Sequence, residues 1–160
     1  KGLSCVASNI QRKYASLLFK KGRAALDTLP EQIKQQMVPL NFAFDTTLSQ
    51  YQDMKQMGAH MGPGMGWRMV EAQAIKDATM AHFILHNPWR KPETVHLHFN
   101  GAYHSDFHQG IMWYVQKEFP SIRILTISTV SQDSILKLDP EHLGRADFII
   151  CVPANMTTTH

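Results

Sequence analysis

Val95-His96-Leu97-His98-Phe99-Asn100-Gly101-Ala102-Tyr103-His104-Ser105-Asp106-Phe107-His108-Gln109-Gly110-Ile111 reads as a strand that runs into a glycine turn and then opens a helix. Val95, Leu97 and Phe99 alternate with Thr94, His96, His98 and Asn100, which is the period-two pattern of a strand, here placed at 94–100. Four histidines, a tyrosine and a carboxylate surround the turn. In an open α/β sheet, ligands bind in the crevice beyond the carboxyl ends of the strands, so a cofactor or metal site belongs at this point of the chain.

Working outward, Gly2 to Ser8 reads as a short buried strand, and Asn9 caps a helix whose apolar residues Tyr14, Leu17, Leu18, Ala25 and Leu26 recur up to Leu29. Pro30 opens a second helix, which Pro39 ends. Asp45 or Thr46 caps a third, through Leu48, Tyr51 and Met54 to about residue 57. From 58 to 66 the chain carries four glycines and a proline, which excludes regular structure; a loop this rich in Met and Gly reads as a lid or a cavity wall. A long helix is predicted from Trp67 to His86, with Val70, Ala74, Ala78, Ala81 and Leu85 on one stripe, small enough to pack closely on a sheet. Gln73, Asp77, Met80 and Ile84 lie beside that stripe, and Asn87-Pro88 closes the helix. A helix over 106–118 and strands at 122–128 and 147–152 follow. Alternating strands and helices give an α/β fold, a mostly parallel sheet flanked by helices. The 160 residues suit a single such domain, expected to be part of a larger α/β protein.

Composition excludes several classes. With 44% hydrophobic and 18% charged residues the chain is globular, and no apolar run approaches the roughly 20 residues of a membrane helix. The net charge of +3 is small, and the one basic patch (Arg12-Lys13, then Lys20-Lys21-Gly22-Arg23) lacks interleaved aromatics, so no nucleic-acid partner is expected. Cys5 and Cys151 sit in apolar runs and read as buried small hydrophobes on strands. No G-x-G-x-x-G, P-loop or G-x-S-x-G occurs. Nine Met stand out, six of them between Met54 and Met80, which suits core filling or a pocket for a flat apolar ligand.

The candidate chemistry lies around the glycine turn. His96 reads as half wet at a sheet edge; for His98, nearer the strand's end, edge position and cavity lining stand evenly. His104 and His108 are four apart, a two-ligand spacing on one helix face, and Asp106 lies between them; together they are the candidate metal set. Spacing alone makes that the minority reading, since the Glu of H-E-x-x-H is absent. Tyr103 adds a phenol able to ligate ferric haem. Asp77, costly if buried unpaired, either bonds a neighbouring loop or, with Gln73, reaches the crevice of His104.

The chain resembles the ChaN-like haem-binding uptake proteins, bacterial iron-regulated lipoproteins of the Tiki and TraB/PrgY-type superfamily. The resemblance rests on Val6-Ala7-Ser8-Asn9 with Arg12-Lys13-Tyr14 and Ala25-Leu26-Asp27-Thr28-Leu29-Pro30. It continues in Ala72 to Ala81 (Ala-Gln-Ala-Ile-Lys-Asp-Ala-Thr-Met-Ala) and, most specifically, in Asn100-Gly101-Ala102-Tyr103-His104-Ser105-Asp106 with Gly110-Ile111. The family's opening Gly-Glu-x-His strand has no match, so the chain corresponds to the family's C-terminal portion. The resemblance implies binding of haem or a related tetrapyrrole at the bacterial cell envelope for iron acquisition. Membrane contact would come only through an N-terminal lipid anchor outside this chain, and a homodimer is a further expectation. It marks Gln73, Asp77, Asn100, Gly101, Tyr103, His104 and Gly110 as site residues. His60, Met61, His98 and His108 are added from their chemistry. The alternative it carries is a metal-dependent hydrolase in which His104, His108 and Asp106 hold a divalent ion that activates water.

Overall fold

The computed structural model describes residues 3–87, 91 and 94–157. Its α-helices are α1 (Arg12–Lys21), α2 (Ala24–Asp27), α3 (Glu31–Lys34), α4 (Ser49–Ala59), α5 (Met65–Leu85) and α6 (Ile111–Glu118). Two strands, β1 (Ile127–Gln132) and β2 (Phe148–Pro153), pair in parallel with Ile127 opposite Phe148 and Gln132 opposite Pro153. The fold is therefore α/β, with helices ahead of a two-stranded parallel sheet.

α5 is the centre of the molecule. Twelve of its residues are buried, among them Val70, Ala74, Ile75, Asp77 and Thr79, and they do not confine themselves to one stripe. A helix that is apolar on several sides has neighbours on several sides. One side meets α1 through Ile75 and Ala72 against Tyr14, Ala15 and Leu18, with Leu26 and Met37 closing the cluster. A second meets α4, where Val70 and Ala74 pack on Tyr51 and Met54. The third meets α6 through Met80, Ala81 and Leu85 against Ile111 and Val115. The small residues of α5 thus let helices approach it, where a sheet was expected. Gly66 shows how closely: a Cβ there would overlap the Lys55 carbonyl of α4.

Several sequence expectations change. The helix expected from Asn9 to Leu29 is broken at Gly22, whose φ of 84° stops α1. The segment between Pro30 and Pro39 keeps one turn, α3. Asp45 does not cap α4; its carboxylate accepts from the Thr47 N–H at 2.8 Å and from the Thr47 hydroxyl at 2.6 Å, forming a turn ahead of the helix. Regular structure enters the glycine-rich stretch from both sides, because α4 runs to Ala59 and α5 begins at Met65. The expected helix 106–118 is regular only from Ile111; before it lie two short 3-10 turns, 102–104 and 106–108. β1 begins five residues after the strand expected at 122 and continues past it. Pro88 and Gly2 lie outside the described residues.

The largest correction concerns 94–100. The segment forms no strand ladder, and Val95, Leu97 and Phe99 are 96%, 76% and 84% exposed. Alternation orders side chains onto two faces but makes a strand only where another backbone supplies the hydrogen bonds. Residues 3–8 behave likewise, so Cys5 is exposed, against expectation; Cys151 on β2 is half-buried, and both thiols are free.

Candidate functional site

The site is built where the chain after residue 99 turns back against the middle of α5. Asp77 is fully buried on α5 and holds three partners. Its Oδ1 accepts from the His104 ring Nδ1, its Oδ2 accepts from the Tyr51 hydroxyl at 2.8 Å, and the Gln73 amide nitrogen donates to Oδ1 at 3.5 Å. The Gln73 amide also lies 2.9 Å from His104 Nδ1. Burial pushes the Asp77 carboxyl above the usual carboxylate range, while the His104 and Tyr51 hydrogen bonds pull it down. The same burial, with the Asp77 charge beside it, pushes the Tyr51 phenol far up, so Tyr51 keeps its proton and donates it to Asp77.

This arrangement fixes the imidazole. With Nδ1–H donated to a carboxylate, the ring of His104 presents Nε2 as its lone-pair nitrogen. The His104 side chain, 17% exposed, lines a cavity of about 420 Å³ together with Val6, Asn9, Met80, Phe99 and Asn100. His98 sits close enough for its charge to be coupled to that of His104; burial holds its pKa below the ordinary imidazole value, and its Nε2 is buried without a hydrogen-bond partner. Gly110 makes the approach possible. It has a φ of 54°, and a Cβ there would overlap the His104 carbonyl and crowd Asp77 Oδ2 at 3.2 Å.

The turn is held from outside. Tyr103, 39% exposed, donates its hydroxyl to the Gln50 carbonyl at 2.8 Å. Gln50, itself buried, in turn donates its side-chain amide to the Asp106 carbonyl at 3.0 Å. Asn100 donates to the Ser105 hydroxyl at 2.9 Å and to the Gly101 carbonyl at the same distance, closing the loop 100–105 on itself. Phe107 and His108 adopt left-handed backbone, φ 56° and 57°, which side-chain-bearing residues take only when their surroundings impose it. The Phe107 N–H donates to the Arg145 carbonyl at 2.7 Å, and His108 Nε2 faces Asp147 at 3.4 Å.

His104, Asp106 and His108 do not converge. His104 turns to Asp77. Asp106 is buried between the Ser128 hydroxyl at 2.8 Å and the Arg145 guanidinium at 2.9 Å. His108 turns to Asp147 and to Thr126, whose Oγ1 is 3.3 Å from its Nε2. The intervening 3-10 turns, absent from a regular helix, separate the two histidines that i, i+4 spacing would put on one face. His60 and Met61 lie apart as well: both are exposed at the α4–α5 turn and neither lines the His104 cavity. His96 is exposed. Sequence reasoning missed Tyr51, Gln50 and Arg145. Tyr51 shares the apolar spacing of α4 and so read as core, and nothing in the spacing of Arg145 links it to Asp106.

Residues 1–115 match the family described as haem-binding uptake, Tiki superfamily, ChaN. The chain belongs to that family. No curated protein and no solved structure matches it. The matched span of this ChaN-family chain ends inside α6, so it contains α5, the glycine turn and His104, and leaves out the β1–β2 sheet. Among the described residues no helix is long and apolar enough to cross a membrane.

The donor set fits a haem iron through one residue better than through the other. His104 offers an imidazole nitrogen whose ring is already oriented by a carboxylate, the arrangement that holds metal-ligating histidines. Tyr103 would have to ligate as phenolate, yet burial and the charges of Asp53 and Asp77 push its pKa up, and its hydroxyl is occupied by Gln50.

Proposed function

We propose that the cavity between residues 6–9 and 99–104 binds haem or a related tetrapyrrole, with His104 Nε2 as the iron ligand, and that the protein serves haem-iron uptake at the bacterial cell envelope. One observation carries the reading: the His104 ring is fixed by a buried carboxylate and lines a cavity. Family membership supplies the ligand class. Phe99, Val6 and Met80 supply apolar contacts for a flat ring, beside the polar groups of Ser8, Asn9 and Asn100. Gln73, Asn100 and Gly101 shape the turn that presents His104. The divergence of His104, Asp106 and His108 gives no support to a hydrolytic metal site.

Titration of the purified protein with hemin tests this. The Soret band is expected to shift and saturate at one equivalent. His104→Ala abolishes the shift, whereas Tyr103→Phe preserves it. Asp77→Asn, which disturbs the group orienting the ligand, weakens binding by roughly 10- to 100-fold. A Soret band indifferent to His104→Ala overturns the ligand assignment, and no shift with the wild-type protein overturns the function.

A further inference from the structure

Away from that cavity, the loop joining β1 to β2 carries Asp139, Pro140, Glu141 and His142, the last three in a 3-10 turn. Gln132, buried at the end of β1, shapes the loop: its amide donates to the Ser134 and Lys137 carbonyls, and its Oε1 accepts from the Asp139 N–H at 3.3 Å. The His142 N–H closes the turn on the Asp139 carbonyl at 3.0 Å. One ligand atom from each of Asp139, Glu141 and His142 lies within 4.8 Å of the others.

An acidic pair beside a histidine is common on surfaces. What sets this one apart is His142 itself. It is 8% exposed, and neither ring nitrogen has a hydrogen-bond partner, although both are buried. Burying a polar nitrogen without a partner is costly, and here two are buried in one ring. Nε2 lies 3.9 Å from Glu141 Oε1, too far for a hydrogen bond and within reach of an ion shared by the two groups. The Glu141 side chain is 77% exposed, so it has room to change rotamer toward ligand distances of about 2.0–2.2 Å.

We propose that Asp139, Glu141 and His142 bind one first-row divalent cation, of the Zn²⁺ or Co²⁺ class, at the carboxyl end of β1. One imidazole nitrogen and two carboxylate oxygens are a donor set for borderline metals, and three protein ligands leave a position for water. The two carboxylates neutralise the ion's charge. Arg145, further along the same loop, is engaged by Asp106 at 2.9 Å. The ion braces the loop that delivers Arg145 to Asp106 and thereby the turn carrying His104. The proposal stands apart from tetrapyrrole binding and uses none of its residues.

Zn²⁺ titration of chelator-treated protein by calorimetry, with Co²⁺ absorbance as the second readout, tests the site. One equivalent binds, with a visible Co²⁺ band of nitrogen–oxygen character and a rise in Tm on loading. His142→Gln lowers the affinity at least tenfold. Because His142 is buried, Asp139→Asn with Glu141→Gln is the second variant: both side chains lie outside the core, so the protein stays folded and binding is lost. Asp133→Asn, an exposed acid in the same loop, leaves binding unchanged. Absence of binding, binding that survives the double variant, or a thiolate charge-transfer band assigning the ion to Cys5 or Cys151 overturns the proposal.

Discussion

Asp77 and Asp147 are both carboxylates that bond a histidine-bearing turn, yet they respond to pH in opposite directions. Burial raises the Asp77 pKa above the ordinary carboxylate value of 3.8, so the folded protein holds its proton more tightly than the unfolded chain. The contribution of Asp77 is complete below that value and is lost as pH rises through the raised pKa. Asp147 is held below 3.8, first by the Thr126 N–H and then by the Thr126 hydroxyl and His108, so its contribution is present above 3.8 and is lost as pH falls. Urea midpoints between pH 3 and pH 7 check both signs. Relative to Asp77→Asn, the wild type weakens as pH rises above about 4; relative to Asp147→Asn, it weakens as pH falls below about 4. The Asp77→Ala variant leaves the Tyr51 hydroxyl without its buried acceptor and costs about 3 kcal/mol, with the denaturant slope unchanged. That Asp77 needs a partner is legible in the sequence, since a lone carboxylate beside an alanine stripe has to be satisfied. That Tyr51 is one of its partners is not, because a tyrosine at core spacing reads as packing.

At the scale of elements, α5 was readable as a helix from its spacing, and the structure places it within two residues of that reading at its start. What surrounds it was not readable. Ala, Val and Thr at close spacing report a need for near neighbours, and the identity of those neighbours depends on loops whose lengths and turns periodicity does not encode. Two substitutions separate the helix from its packing. Val70→Ala removes two methyl groups from a site with no exposure, between α5 and Tyr51 of α4, and costs about 1–3 kcal/mol. Gly66→Ala deletes nothing and favours helix, yet its new methyl meets the Lys55 carbonyl, so α4 has to move away from α5. Thermal unfolding is expected to show Gly66→Ala as destabilising as Val70→Ala, although helix propensity alone favours the alanine by about 1 kcal/mol. An unchanged Tm for Gly66→Ala would mean that the two helices are not held at that distance.

Taken whole, the molecule has a dense helical side and an uncovered one. Three clusters surround α5, while Ile127, Phe148 and Ile150 on the sheet, Leu125 just before β1, and Val95, Leu97 and Phe99 ahead of the glycine turn are all more than half exposed. Parallel strands are ordinarily covered on both faces, and runs of exposed apolar residues mark surfaces that other groups cover. The period-two signal at 94–100 reads as a strand and the structure forms none there, because alternation sorts side chains onto two faces and says nothing about whether a neighbouring backbone is there to pair with. A stability measurement checks the point. If these side chains lay in a core, replacing Val95, Leu97 and Phe99 together by Ser would remove several kcal/mol. Since they project into solvent, the triple variant is expected to unfold within about 1 kcal/mol of the wild type. Fluorescence of the apolar dye ANS is expected to fall, because the surface it binds has been made polar. A large loss of stability in that variant would place 94–100 inside the folded core, and with it would go the open approach to His104 on which the tetrapyrrole reading depends.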